Sequence, residues 1–442
     1  LDLNYSFAGG STFTSITGYQ DVQSTDNFNT LNLGSIPFTV PNTGEDRAEQ
    51  WTQEFRFSSP VGDRFEYVVG LYYFNKKLER EFLQNLDFFI FGAGSVPGEI
   101  GRSLLMDFTT KFESSAAFAS LTWNVSERSR ISAGARWQHD EVETQHLVDS
   151  VPNTFSVFTI SPNTGFVDVS DNDDAISWRL ATEYDLTEDA MVYASVARGY
   201  KGQVVNNLPT IVIDPDPILD PEIPTSFEVG LKSELLNRQL RLNGALFHTT
   251  FKDFQAAATD VNLTFPQFFL VNAGELTTKG AELSVEAQLN SALLLTGAVT
   301  YQRAVYDDFL GAQCYLAQTA AQGCVGGSQD LSGTDLTNAP RWIYTLTGRY
   351  DRPLQSIPYS LSVLGTWIWR DSTRGFGNDP DPRVELEAYG VADLFLGLES
   401  NDGRYSFQVF AKNLFDEFYV TGIGKGATGG IALTHQFPYE YK

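Results

Sequence analysis

The chain has 442 residues and carries 30 Lys+Arg against 55 Asp+Glu, a net charge of −25, which repels phosphate backbones and argues against a nucleic-acid partner. It is 42% hydrophobic and 13% aromatic, with 33 Phe, 19 Tyr and 7 Trp, which excludes general disorder. No run approaches the ~18 apolar residues of a membrane-spanning helix, so a helical membrane protein is excluded, whereas a barrel whose strands need only ~10 alternating residues is not.

Helix-period patterns are nearly absent, and the predicted elements are strands. In chain order they read "STFTSITGYQDV", "QWTQEFRFSS", "FEYVVGLYYFNKKLE", "SAAFASLTWNVS", "RISAGARWQHDEVE", "AISWRLATEYDL" and "AMVYASVARGYK". Next comes "PEIPTSFEVGLKSELL", then "QLRLNGALFHTTF", "GAELSVEAQL", "ALLLTGAVTYQRAVYD", "RWIYTLTGRYD", "YSLSVLGTWIWRD", "AYGVADLFLGLES" and "RYSFQVFAKNLF". With the first segment and an incomplete last one, the pattern predicts about 16 or 17 strands. Short turns at 8–10, 60–64, 126–129, 186–189, 237–239, 290–292 and 400–403 alternate with long polar links at 23–48, 83–106, 145–174, 201–223, 254–266, 309–338 and 372–386. Soluble domains rarely carry so many long loops, whereas an up-and-down barrel in an outer membrane has tight turns at one end and long loops at the other.

The alternation within residues 221–236 gives the physical reason. Phe227, Val229, Leu231 and Leu235 share one face, and Glu228, Gly230, Lys232 and Glu234 share the other. In hydrocarbon every backbone group must pair internally, so strands span only as a closed barrel, with apolar residues toward lipid and polar ones toward a watery lumen. The fold class expected is therefore an all-β, antiparallel up-and-down transmembrane barrel. The seven Trp all lie in or beside predicted strands, and Trp342 and Tyr350 share a face eight residues apart. At ~3.3 Å per residue and a tilt near 45° that is roughly 19 Å of height, close to the separation of two aromatic belts.

Four segments carry a family resemblance. "PEIPTSFEVGLKS", "ASVARGYKG" before it, "VNAGELTTKGAELSVEA" and "KNLFDEFYV" resemble, in order and spacing, motifs of TonB-dependent outer-membrane receptors. The resemblance covers essentially the whole chain. It implies a 22-stranded barrel plugged by an N-terminal domain, energised through the TonB complex, with ferric siderophores, cobalamin, haem, nickel chelates or glycans as cargo. On this reading residues 1–442 are a partial barrel, roughly strands 6 to 22, lacking the plug and first strands. "LDLNYSF" at the start lacks an initiator Met or an apolar signal core, in keeping with a fragment. Gln203 stands where the family often has a second Gly.

Cys314 and Cys324 lie in the longest late loop; on the oxidising exterior they are expected to form a loop-stapling disulfide. Cargo recognition is expected at the outer mouth, with Tyr200, Lys201, Trp369, Arg370, Arg374 and Phe376 as candidates. Their cations would suit an anionic chelate, and their rings would stack on it. His139, Glu141 and Glu143 could be imagined as metal ligands, but read better as the solvated end of a strand; His248 reads as a lumen or interface residue. "GKGATG" at 424–429 matches a dinucleotide fingerprint only formally, since no helix pattern follows. The acidic runs at 171–174, 214–222 and 378–382 are either cation sites or loop solubility. No catalytic motif stands out, so no enzyme and no cofactor are expected. The function expected is TonB-coupled import of a scarce nutrient, with a ferric siderophore foremost. The expected partners are outer-membrane lipid and lipopolysaccharide, the TonB complex and a small-molecule cargo such as a ferric chelate. A passive porin, glycan or cobalamin uptake, and a soluble all-β binding or carbohydrate-active protein are the alternatives.

Overall fold

The computed structural model describes residues 1–32, 39–62, 64–87, 101–150, 165–206, 216–260, 267–315, 318–374, 381, 384–425 and 431–435. The strands run β1 (Asp2–Ser6), β2 (Thr12–Asn32), β3 (Thr39–Ser58), β4 (Phe65–Asp87), β5 (Gly101–Ser126), β6 (Ser129–Ser150), β7 (Gly165–Thr187) and β8 (Ala190–Arg198). The two-residue β9 (Val204–Val205) and β10 (Ile218–Leu219) follow, then β11 (Ile223–Leu235), β12 (Leu240–Asp260), β13 (Gln267–Gln288) and β14 (Leu293–Asp308). The short β15 (Ala312–Gln313) and β16 (Ser328–Gln329) precede β17 (Trp342–Pro353) and β18 (Tyr359–Arg370). Last come β19 (Thr373–Arg374), β20 (Glu385–Leu386), β21 (Tyr389–Ser400), β22 (Ser406–Ala411), β23 (Val420–Lys425) and β24 (Ile431–His435).

Sixteen of these strands form one sheet in which each long strand pairs antiparallel with its neighbours in sequence, from β1 to β22. The remaining eight pair as four two-stranded ribbons, β9 with β10, β15 with β16, β19 with β20 and β23 with β24. The expected meander is therefore present. No helix among the described residues is long and apolar enough to cross a membrane.

The strands are longer than their sequence pattern suggested. β5 runs for 26 residues and β3 for 20, so both ends of the expected links at 23–48, 83–106 and 145–174 are ladder rather than loop. The reason is that sheet pairing needs no apolar face: beyond the apolar band both faces meet water, and the alternation that marks a strand disappears while the hydrogen bonds continue.

Paired residues in an antiparallel ladder point to the same face, so the register sorts the side chains. Phe227 and Val229 are 53% and 50% exposed, and the partners opposite them, Val196, Ala194 and Leu246, continue that apolar outer face. Following the pairings outward from there places all seven Trp on the outer face. Near the short turns Phe65 and Trp123 stack at 6.1 Å between centroids. Toward the long-loop end Trp51 meets Tyr73 at 5.4 Å. There too Tyr301, Trp342, Tyr344 and Trp369 form a continuous row, with centroid separations of 4.7, 5.8 and 5.2 Å.

The inner face is polar and tightly fitted. Tyr193 on β8 lies opposite Gly230 on β11, and its hydroxyl donates to Glu228 Oε1 at 2.7 Å. Lys232 Nζ stands 5.3 Å from the same ring. A Cβ at position 230 would come 2.5 Å from the ring carbons of Tyr193, so the glycine is the slot that the ring fills. Gly230→Val is expected to cost a few kcal/mol by overpacking. Heat-modifiable mobility of the membrane-inserted barrel checks this. The variant should lose the compact band, and adding Tyr193→Ala should restore part of it; an unchanged single variant would refute the fit.

Candidate functional site

The long-loop end of the sheet is where the candidate residues gather, and it holds two chemically distinct patches. The first lies around the end of β8. Tyr200 is half-buried, and burial, with Asp140 and Asp173 beside it, pushes its hydroxyl pKa far up, so it remains a proton donor. Gln138 donates to both carboxylate oxygens of Asp140, at 2.9 and 2.8 Å, and receives Arg136 Nε at 2.9 Å. Arg136 also sits 5.1 Å from the ring centroid of Tyr72. Gln203 Nε2 reaches Asp171 at 2.5 Å. This patch is acidic and hydrogen-bonded within the wall.

The second patch lies at the end of β18. Arg370 pairs across the ladder with Ile343 and Tyr389 on the inner face, its guanidinium 5.7 Å from the Tyr389 ring. Tyr389 stacks on Tyr419 with centroids 4.4 Å apart. Arg370 Nη2 donates to Asn338 Oδ1 at 3.4 Å, and the Asn338 backbone N–H donates to the Arg374 carbonyl at 2.9 Å. Arg374 is exposed and opposes Glu385 in the short ribbon, and neither guanidinium forms a salt bridge among the described residues. Two cations and two stacked rings on one stretch of wall can hold an anion and a flat ring together.

The six candidates do not converge. Arg370 and Arg374 are joined through Asn338, and Tyr200 adjoins Lys201, but five strands of the sheet lie between β8 and β18. Trp369 is a correction. It points away from Arg370, into the outer aromatic row beside Tyr344, because neighbours on a strand alternate faces. Phe376 lies outside the described residues, as do most of the acidic run at 378–382 and residues 426–429 of "GKGATG". His139 meets Asp174 at 3.2 Å on the outer face, and among the described residues no group of three His, Cys, Asp or Glu could hold a metal.

Lys201 turns out to belong to a clasp that residue-type reasoning missed. Its backbone exchanges two 2.9 Å hydrogen bonds with Glu222, and its Nζ stands 3.3 Å from the buried Glu222 carboxylate. That carboxylate also accepts the backbone N–H of Gln255 at 3.0 Å. The N–H lies beyond the last β11 partner, Ile223 opposite Lys252, and Asp253, at φ +53°, drops out of the β12–β13 pairing, which resumes in the same register at Phe254 and Ala273. Gln255 Nε2 in turn donates to the Gly202 and Asp220 carbonyls at 3.0 and 2.9 Å. Asn272 completes the clasp, accepting the Asp220 N–H at 3.0 Å and donating to the Asp220 and Asp253 carbonyls at 3.0 and 2.8 Å. The "PE" and "VNAG" segments are thus the two jaws that press the β8–β11 connection onto β12 and β13; their signal in the sequence was the motifs themselves.

The late loop is a folded flap. Phe309, Ala312 and Leu331 pack with Leu276, Tyr306, Ala273 and Ala256 into an apolar cluster over the ends of β12–β14. Cys314 and Cys324 are disulfide-bonded within it, with Cα atoms 5.7 Å apart. Asp335 fastens the flap's return to β14 and β17: burial alone would raise its pKa, but hydrogen bonds from Arg341 and Arg303 hold it below the ordinary carboxylate range.

Comparison with known proteins decides the family. The model of the TonB dependent receptor-like β-barrel matches residues 1–414. The chain belongs to the TonB-dependent receptor family. It is accordingly an outer-membrane β-barrel chain, and in such barrels the short turns face the periplasm and the long connections the exterior. A pesticin receptor of Yersinia pestis is 32% identical over 177 residues, covering 40% of this chain and 24% of the relative. The catecholate siderophore receptor Fiu of Escherichia coli K12 is 26% identical over 265 residues, covering 59% of this chain and 31% of the relative. The solved structure of the ferric yersiniabactin uptake receptor FyuA from Yersinia pestis shares the fold, with a TM-score of 0.73 at 21% identity, covering 98% of this chain and 58% of that one. The matched regions span about a quarter to a third of these curated relatives.

Asn272→Ala removes three clasp hydrogen bonds, each worth ~1 kcal/mol. Protease cleavage between residues 199 and 222 on intact cells is expected to rise about tenfold or more while the barrel keeps its heat-modifiable mobility. Cleavage at the native rate would show that the clasp does not hold the loop.

Proposed function

We propose that this chain forms most of the barrel of an active transporter that captures a ferric siderophore at the cell surface and passes it to the periplasm with TonB-coupled energy. On this reading a plug domain and about five further strands belong to the complete protein. The observation that carries the cargo assignment is Arg370 on the inner wall of the mouth, without a salt bridge among the described residues and set beside the stacked Tyr389 and Tyr419, with the exposed Arg374 joined to it through the Asn338 backbone. Ferric chelates of aromatic ligands are flat-ringed and often anionic, and such a wall suits both properties. The siderophore and ferric-chelate receptors among the relatives support the same reading. Tyr200, beyond the end of β8 and five strands away, contributes a protonated hydroxyl, and Phe376 is proposed as an aromatic contact. Lys201 acts by holding the loop rather than the cargo. The barrel itself performs no covalent chemistry: it binds, orients and releases.

The test uses the full-length protein in detergent, titrated with ferric yersiniabactin, a ferric catecholate, cobalamin and oligosaccharides. Saturable binding of a ferric chelate is expected. Arg370→Ala with Arg374→Ala should weaken it about 10- to 100-fold, the loss of one or two charge-assisted hydrogen bonds. Binding of cobalamin or glycans but no ferric chelate would overturn the cargo. Influx of unrelated solutes in de-energised cells would favour a passive porin.

A further inference from the structure

The inner wall is not uniform, and the difference begins directly beneath Arg370. Ladder pairing joins Tyr389, Arg370, Ile343, Thr300 and Glu282 in one inward row. Two residues toward the short-turn end, about 7 Å, the inward row is Ile368, Thr345, Ala298, Ser284 and Asn243. The row after that is Thr366, Thr347, Thr296, Glu286 and Arg241. Apart from Ile368 and the final Glu286–Arg241 pair, the side chains of these two rows are small and uncharged. They leave a groove of about 340 Å³ in the inner face, lined by Asn243, Ser284, Ala298, Thr296 and Thr345 and ending at Arg241. There Arg241 is bonded to Glu234 at 2.9 Å and to Glu286 at 3.4 Å, so its charge is matched within the wall.

From β3 to β11 the inner face is filled instead. The rings of Phe118 and Tyr193 occupy the slots left by Gly70 and Gly230. Arg136 stands 5.1 Å from the Tyr72 ring, Arg56 is bonded to Glu54, and Arg130 is bonded to Glu183 and Asp185, each at 2.9 Å. A solute moving along that face meets fixed charges and rings, whereas along β12–β18 it meets hydroxyls and an amide. Passage needs contacts that are numerous and individually weak, so that each is left as readily as it is entered. Neutral hydrogen bonds are about half as strong as charge-assisted ones, and hydroxyls on adjacent strands supply a series of them.

We propose that cargo held at Arg370 and Tyr389 descends along this groove, the inner faces of β12, β13, β14 and β17 forming the wall over which it passes toward the periplasm. Continuity with the mouth selects this wall, the small side chains give it width, and the absence of an unmatched charge along the groove keeps an anion from being trapped there. Glu282, at the far end of the upper row, steers an anion to the Arg370 side of the entrance. The inference deepens the transport reading and rests on it.

The test fills the groove. In the full-length protein Ala298→Trp and Ser284→Trp each place an indole in it, and Ser120→Trp places one on the inner face of β5, outside it. Ferric-chelate binding in detergent and energised uptake by cells are measured for each. Both groove variants are expected to bind the chelate within about twofold of the native protein and to import it at least about tenfold more slowly, while Ser120→Trp keeps both properties. Where a tryptophan variant fails to insert, Ser284→Cys is inserted first and then alkylated with a bulky maleimide. Both native cysteines of this chain are disulfide-bonded, so the introduced thiol takes the label. Uptake should fall on labelling, and should not fall in Ser120→Cys treated alike. An equal loss in the Ser120 controls, or a loss of uptake matched by an equal loss of binding, would overturn the inference. Native affinity for the chelate with unaltered uptake through a filled groove overturns this inference alone, whereas a native protein without chelate affinity overturns the cargo reading and this inference together.

Discussion

The constraint on which this structure depends is that hydrocarbon offers no hydrogen bonds. Every backbone N–H and C=O inside the apolar band must find its partner on an adjacent strand, which leaves a continuous antiparallel ladder as the available solution for a strand-built chain. Once the ladder is in place, side chains have only two directions. The outward set meets lipid and is Phe, Val, Leu and Trp; the inward set meets a wet lumen and is Glu, Lys, Arg, Gln and Gly. The Tyr193–Gly230 fit is a consequence of the same geometry. A bulky inward ring must lie flat on the wall to spare the lumen, and it can do so only where the neighbouring strand has no side chain.

The same ladder also governs the exterior. Strands such as β5, at 26 residues, climb well past the aromatic belt as water-exposed ribbons, so the connections start far above the membrane and need their own fastenings. Two kinds are present. The β8–β11 connection is held by polar side chains where the β11 ladder ends, and there the Gln255 N–H turns to Glu222. The 309–341 flap is held by an apolar cluster and a disulfide. Polar clasps lose little when they open into water, whereas a buried apolar cluster loses its contact with every packed neighbour. The polar clasp is therefore the more easily released of the two fastenings.

Most of the fold was legible because its signals are periodic. Alternation in "SFEVGLKS", short turns at regular spacing and Trp at strand ends each report one physical fact, the two-sided environment of a strand. What was not legible follows from the same cause. Above the belt both environments are water, so the alternation fades and the links read as loops although the hydrogen bonds run on. Trp369 was misplaced because residue type suggested a stacking partner for cargo, whereas parity relative to Trp367 and Leu346 assigns it to the belt. Lys201 read as a free cation, since nothing local announces that Glu222, 21 residues later, folds back onto it. Asn272 was visible as part of a motif, but its work on Asp220, 52 residues away, is a tertiary fact.

The chain's charge of −25 does not decide what its surfaces attract. At physiological ionic strength exposed charges are screened beyond about 8 Å, less than two interstrand spacings, so each patch acts by its own composition. The mouth near Tyr200 is acidic, yet its carboxylates near β6 and β8 are occupied by Gln138 and Gln203. The mouth near Arg370 carries two guanidinium groups that form no salt bridge among the described residues. On the lipid side, β4–β6 neutralise their lysines internally while Lys279 stands free among the described residues. The register of a single sheet keeps lumen-facing and lipid-facing side chains on opposite faces, so the patches of an acidic protein act separately.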